Sequence, residues 1–295
     1  MCSFVHAPAP AKVVAAVSAA MQRSCFAGLT PLLGDTKDLC FATVSNHSAS
    51  YAFAVRPRND VVSKFIRNTG AWEAIAHPEK LLSMAARVAG RPSLRMAHPS
   101  GTMLDVGSNM GYFTMQFAKA GWSVLAVEPM AHNRRALQLS LCANPDAATR
   151  VRLISSALGS PADTSDGFCV LRSSTSTNQG NGQLACGSQA KLCLPDEAGA
   201  CERVPLTTLD QLLEGLEPRP AAIDVMKMDV EGFECAVLAG SSSLFTRYRP
   251  SVVLMEGKYY ASKRCALSTA ASHNYTVHSL NDRDHNLVWV RDPHT

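Results

Sequence analysis

The chain has 295 residues, 46% of them hydrophobic and 18% charged, which excludes a disordered or fibrous polypeptide. Lys and Arg number 28 against 24 Asp and Glu, a formal net charge of +4 with no basic tract, so composition predicts no nucleic-acid partner. No run approaches the roughly 18 apolar residues of a membrane-spanning helix, and no integral membrane segment is expected.

Residues 1–38 read as an N-terminal extension. Val13, Val14, Val17, Ala20 and Met21 follow helical spacing and predict a surface helix over 11–22. The first 34 residues also lack Asp and Glu, which fits a targeting segment as the alternative. Residues 39–100 read as a cap on the substrate side, with strands over Leu39–Val44 and Tyr51–Val55 and helical pieces after Asp60.

From residue 101 the pattern becomes an alternation. Strands are predicted at Thr102–Val106, Trp122–Val127 and Val151–Ser155, with helices at Tyr112–Lys119 and His132–Ala143 between them. The alternation resumes with a helix near Thr208–Glu214, a strand Ile223–Met228, a helix Phe233–Phe245 and a strand Ser251–Met255. Strands near 275–280 and 286–290 close the chain. Short continuous apolar strands separated by helices predict an α/β fold with a mostly parallel sheet covered on both faces. Residues 160–203, rich in Ser, Gly and Cys, break the rhythm and read as an insertion near the sheet's edge or over its ligand face, with one strand at Phe168–Leu171. The domain proper is therefore 101–295.

Ten cysteines are present, none as C-x-x-C, and no metal-ligand spacing appears, so no metal site is expected from Cys and His. The reading taken is cytoplasmic, with buried reduced thiols. An organelle or secretory lumen is the alternative; there Cys186, Cys193 and Cys201 could pair, and the sequons at Asn46 and Asn274 would be usable.

The chemistry is carried by two strand tips. Leu104-Asp105-Val106-Gly107-Ser108-Asn109-Met110-Gly111-Tyr112 runs from a strand through a turn of small residues into a helix. A dinucleotide needs G-x-G-x-x-G to seat its pyrophosphate. Here three residues separate Gly107 from Gly111, and Asp105 would repel a phosphate but could pair with an ammonium. At the next tip Glu128 lies 23 residues beyond Asp105, where an acidic side chain accepts the hydroxyls of a ribose. An amino-acid end and a nucleoside without pyrophosphate together fit S-adenosylmethionine.

The chain resembles the FkbM family of class I S-adenosylmethionine-dependent methyltransferases. The resemblance rests on LDVGSNMGYFTMQFAKAG, VLAVEPMAHNRRAL, Ala157-Leu158-Gly159, VPLTTLD at 204–210, MKMDVEGFECAVLAG at 226–240 and VVLME at 252–256. It implies a Rossmann-like seven-stranded sheet whose last strand is antiparallel. It also implies that Asp105, Gly107, Ser108, Asn109, Gly111 and Tyr112 surround the methionine end. Glu128 would hold the ribose with Pro129 and Asn133 nearby, and Ser156 and Ala157 would flank the adenine. Family members methylate hydroxyls of sugars or other small polar metabolites, so the partner it implies is a small-molecule or glycan hydroxyl.

A hydroxyl acceptor must lose its proton. Asp229 or Glu231, in the Asp-Val-Glu-Gly turn, is the candidate base, with Glu256 at the next strand tip orienting the acceptor. The same carboxylates could hold a divalent cation, and Glu231 could instead cap a helix. Two further alternatives are a non-catalytic cofactor-binding module and an NAD-dependent oxidoreductase.

Overall fold

The computed structural model describes residues 39–45, 50–56, 60–91, 100–173, 182–187, 192–194, 201–280, 282 and 285–292. The N-terminal extension, its expected helix and Asn46 lie outside the described residues.

The central sheet is built from β3 (Thr102–Val106), β4 (Ser123–Val127), β5 (Val151–Ile154), β10 (Val225–Met228), β11 (Val252–Met255), β12 (Tyr275–Ser279) and β13 (Leu287–Arg291). Its spatial order is β12-β13-β11-β10-β3-β4-β5. β3, β4, β5, β10 and β11 pair in parallel, whereas β13 runs antiparallel to both β11 and β12. The chain order reverses between β3 and β10, and an open α/β sheet binds ligands at the carboxyl ends of the strands at such a point.

Alternate residues of each strand serve opposite faces. Met103, Val124, Val225, Val252 and Leu254 join one core with Phe113, Met115, Phe117, Ala136 and Leu137. Leu104, Leu125, Met226, Val253 and Trp289 join the other, with Leu209, Leu212, Val237 and Ala266. Helices α3 (Tyr112–Lys119) and α4 (Ala131–Cys142) supply the first set. The helices α6 (Leu209–Glu214), α7 (Glu234–Ala239) and α8 (Tyr260–Ser272) supply the second. The short helix α5 (Pro145–Ala148) leads into β5.

The N-terminal region consists of the antiparallel pair β1 (Cys40–Ser45) and β2 (Ser50–Val55), then α1 (Val61–Thr69) and α2 (Pro78–Val88). It docks on α4: the Ser140 hydroxyl accepts from the Ala54 amide at 2.9 Å, and the Asn144 amide donates to the Ala52 carbonyl at 2.8 Å.

Three features depart from the sequence reading. The helix expected over Phe233–Phe245 ends at Gly240 and restarts as a π-helical turn, Leu244–Tyr248. A Cβ at Gly240 would lie 2.4 Å from the Gly159 carbonyl, and the Asp210 carboxylate accepts from the amides of Ser242 and Ser243, so the chain is pulled off the helical path. The helix α8 was not expected. The insertion holds a second sheet, ordered β6-β9-β7-β8, from β6 (Ala157–Leu158), β7 (Phe168–Ser173), β8 (Gly182–Cys186) and β9 (Cys201–Thr207).

In place of the buried thiols expected, the described residues contain disulfides Cys169–Cys186, Cys193–Cys201 and Cys235–Cys265. Such bridges persist in oxidising compartments. No helix among the described residues is long and apolar enough to cross a membrane.

Candidate active site

Parallel pairing sets the strand tips side by side. Val106 is in register with Val127 and Met228, and Met228 with Met255. The residues that follow, Gly107, Glu128, Asp229 and Glu256, therefore leave the sheet together.

The turn after β3 is held by its own backbone. The amides of Gly107 and Ser108 donate to the Val127 carbonyl at 2.9 and 3.1 Å. Gly107 has φ +74, and a Cβ there would lie 1.9 Å from the Asp229 carbonyl, so only glycine lets β3 and β10 diverge this closely. Asn109 takes the left-handed conformation, φ 53, and its amide points at Glu128 Oε2, 2.7 Å away. Glu128 Oε1 accepts from the Met130 amide at 2.9 Å and the Asn133 side chain at 3.2 Å. Burial pushes the Glu128 carboxyl up, and these donors work against that rise. Each carboxylate oxygen has two acceptor sites, so capacity remains for ligand hydroxyls.

Gly107, Glu128 and Asp229 frame an open cleft of about 580 Å³, which Glu256 does not line. Gly107, Asn109, Glu128, Pro129, Ser156, Ala157, Asp229 and Glu231 line it. Asp105, Ser108, Gly111, Tyr112 and Asn133 lie behind this lining. Asp105 is fully buried and accepts from the Thr114 hydroxyl at 2.6 Å, while Tyr112 packs edge-on against Phe53. Gly111 begins α3 with φ +87; a Cβ there would press on Leu137 at 2.4 Å.

The lining suits S-adenosylmethionine. The Asn109 turn, Glu128 and Ser156 make its polar end. Asp105 Oδ1, Ser108 Oγ and Glu256 Oε2, which do not line the cleft, are buried without a hydrogen-bond partner among the described residues, where ordered water would satisfy them. At the other end, Val127, Met130, Ala157, Leu158, Leu171 and Leu184 make an apolar slot. Leu171, Gly182 and Leu184 come from the insertion and were not anticipated; the nearest sequence signal was the strand-like run at Phe168–Leu171.

Lys227 was missed because it sits inside an apolar strand. Its ammonium donates to the Gly107 carbonyl at 2.9 Å and lies 3.4 Å from Asp229 and 3.9 Å from Asp105. Burial works against the charged form, but Asp229 and Asp105 outweigh it and raise the ammonium's pKa. Lys227 thus neutralises the buried Asp105 and ties it to Asp229 on the cleft's lining.

On the acceptor side, Glu231 is left-handed, φ 53, a conformation that a non-glycine side chain occupies at a cost of about 1–2 kcal/mol. The carboxylate that caps this turn is Glu234, which accepts from the amides of Val230 and Gly232 and from the Ser262 hydroxyl. Glu231 is left facing the cleft. Burial, reinforced by the charge of Asp229, pushes Glu231 up to about 7. Burial and the charges of Asp229, Glu231 and Glu234 push Glu256 up to about 8, against Lys258. Among the described residues no group of three Asp, Glu, His or Cys is arranged to hold a metal ion.

Residues 105–282 match the family model described as the methyltransferase FkbM domain. No curated protein matches the chain. Among solved structures, it is similar to a precorrin-6Y C5,15-methyltransferase from Geobacter metallireducens, at 9% identity and TM-score 0.40 over 81% of this chain and 94% of that one. It is also similar to the N-terminal domain of human METTL16 in complex with S-adenosylhomocysteine, at 11% identity and TM-score 0.44 over 90% and 93% of the two chains.

Proposed function

The chain belongs to the FkbM methyltransferase family, uses S-adenosylmethionine, and on that premise we propose that it methylates a hydroxyl oxygen of a sugar or other small polar metabolite. The observation that carries the hydroxyl reading is the group of carboxylates at the tips of β10 and β11, two of which burial keeps proton-bearing near neutrality.

Bound S-adenosylmethionine supplies an electrophilic methyl group on a sulfonium. The chain supplies alignment and proton transfer. In this reading Glu128 accepts the ribose hydroxyls, with Pro129 shaping the turn and Asn133 fixing the carboxylate. Ser156, Ala157 and Leu158 flank the base. The Gly107–Asn109 turn receives the amino-acid end, with Asp105 and Ser108 supporting it from behind and Gly111 and Tyr112 fixing its shape. Glu231, with a pKa near 7, takes the acceptor's proton. Glu256, protonated at neutral pH, donates to the acceptor oxygen and orients a lone pair toward the methyl group. Asp229 holds Lys227 and adds the negative field that favours a positively charged sulfur.

Residues 39–100 act as the cap over the acceptor, and 101–295 as the cofactor-binding domain with its insertion. The disulfides support an oxidising compartment over a cytoplasmic one. The oxidoreductase alternative falls with the family assignment. Incubation with methyl-labelled S-adenosylmethionine and a panel of glycans and hydroxylated metabolites tests the reading. O-methyl products that vanish in Glu231→Gln while cofactor binding persists are expected. Transfer to nitrogen or sulfur, or turnover indifferent to Glu231→Gln, contradicts it.

A further inference from the structure

The apolar end of the cleft is roofed by the insertion, not by the central sheet. β7 and β8 pair with Leu171 opposite Leu184 and Cys169 opposite Cys186. The period of two puts each leucine on the same face as the cysteine of its strand. That face joins a cluster of Met130, Ala157, Val204 and Leu206. Gly182 closes the roof at its far end: a Cβ there would meet Leu171 at 2.7 Å and the sulfur of Met130, two residues beyond Glu128, at 3.0 Å.

β7 is held on both sides, by β9 and by β8, whereas β8, among the described residues, is the edge strand and pairs only with β7. A two-stranded attachment of this length is marginal alone. The disulfide Cys169–Cys186 is the covalent tie across it. We propose that Cys169 and Cys186 are positioning residues for the cofactor: their bridge seats Leu171, Gly182 and Leu184 as the wall against its nucleoside, so that the site binds an adenine nucleoside tightly only with this bridge closed. This rests on the cleft being the S-adenosylmethionine site.

A dithiol reductant opens the bridge by delivering two electrons and two protons, giving two thiols and leaving the reductant as a disulfide. With the bridge open, the roof samples unseated positions, and the apparent affinity falls by the fraction of time it is seated.

Calorimetric titration with S-adenosylhomocysteine and with 5′-methylthioadenosine, which lacks the amino-acid end, tests the proposal. Oxidised wild type is compared with the dithiothreitol-reduced protein, with the Cys169→Ser/Cys186→Ser double variant, and with a Cys235→Ser/Cys265→Ser double variant whose bridge joins α7 to α8. The first two comparisons should lose about tenfold in affinity for both ligands, as a roof seated one-tenth of the time requires. The α7–α8 variant should bind like wild type. Circular dichroism at the titration temperature separates this from global unfolding. If the Cys169→Ser/Cys186→Ser chain does not fold, Leu184→Ser with all bridges intact should weaken methylthioadenosine binding about tenfold, from lost apolar cover of roughly 1.5 kcal/mol. Unchanged affinity in the Cys169→Ser/Cys186→Ser variant, or in Leu184→Ser where that variant fails to fold, overturns the latch. No binding of either ligand to oxidised wild type overturns instead the reading of the cleft on which it rests.

Discussion

Glu231 and Glu256 carry the pH dependence of the proposed reaction. Glu231 acts as a base only when ionised and Glu256 donates only when protonated, so kcat/KM should rise with pH through about 7 and fall again above about 8. Glu231→Gln should remove that rise and lower kcat by about 100-fold or more, the usual contribution of a positioned base. Glu256→Gln keeps a donor in the same place and should cost far less below its pKa of about 8. A kcat/KM profile flat between pH 6 and 8 would remove Glu231 from the role. Lys227 is a different kind of residue, since its task is to neutralise. Lys227→Met leaves Asp105 and Asp229 together without their shared cation and should cost about 3–5 kcal/mol of stability at pH 8. The loss should shrink at acidic pH, where burial has already raised the Asp105 pKa and the carboxyl takes up a proton. Denaturant unfolding at the two pH values measures it.

Between elements, the most consequential joint is Arg56. It leaves β2, donates to Asp60 at the N-cap of α1 at 3.2 Å, and reaches the Asn133 side chain on α4. Asn133 in turn donates to Glu128, so the N-terminal region is wired to the proposed ribose carboxylate. Arg56→Met should destabilise the chain by about 3 kcal/mol, because it leaves Asp60 buried without its cation. It should also weaken S-adenosylhomocysteine binding, whereas the exposed pair Lys119–Asp146 should contribute little when broken. Equal effects of Arg56→Met and Lys119→Met on binding would refute the wiring.

The elements that sequence made legible were those with a strong period or a glycine stop. β3, α3 and β4 fall where the apolar runs and Gly121 placed them. Elements fixed by tertiary contacts were not legible. The break after Gly240 depends on Gly159, a residue distant in sequence. α8 has small and polar residues around its circumference and only a thin buried stripe of Ser262, Ala266 and Ala270, so its helical period is weak. The β8 strand buries little, and its place follows from its bridge and its partner strand.

At the scale of the whole molecule, one topological fact organises the site. The order reversal between β3 and β10 brings residues 107, 128, 229 and 256 to one edge although they span half the chain. Sequence could name these residues because each follows a short apolar strand. It could not name Leu171, Gly182 or Leu184, because their place depends on how the insertion folds back over that edge. Concentrating carboxylates here also has a cost for folding. Glu231 and Glu256 have folded-state pKa values above their ordinary one, so their contribution to stability is fully present below about 4.5 and is lost as pH rises through about 7 and 8. Glu256→Gln should therefore raise Tm by about 2–4 °C at pH 8.5 and hardly at all at pH 4.5, read by scanning calorimetry. Equal gains at both pH values would show that the carboxylate's charge is not the cause.

The central claim is that this edge binds S-adenosylmethionine through Glu128. Calorimetric titration of oxidised wild type and of Glu128→Ala with S-adenosylmethionine tests it most directly. Wild type should bind with micromolar affinity, and Glu128→Ala should lose about 100-fold, as expected from two charge-assisted hydrogen bonds of roughly 1.5 kcal/mol each. Equal binding by the two proteins, or no binding by folded wild type, would contradict the account.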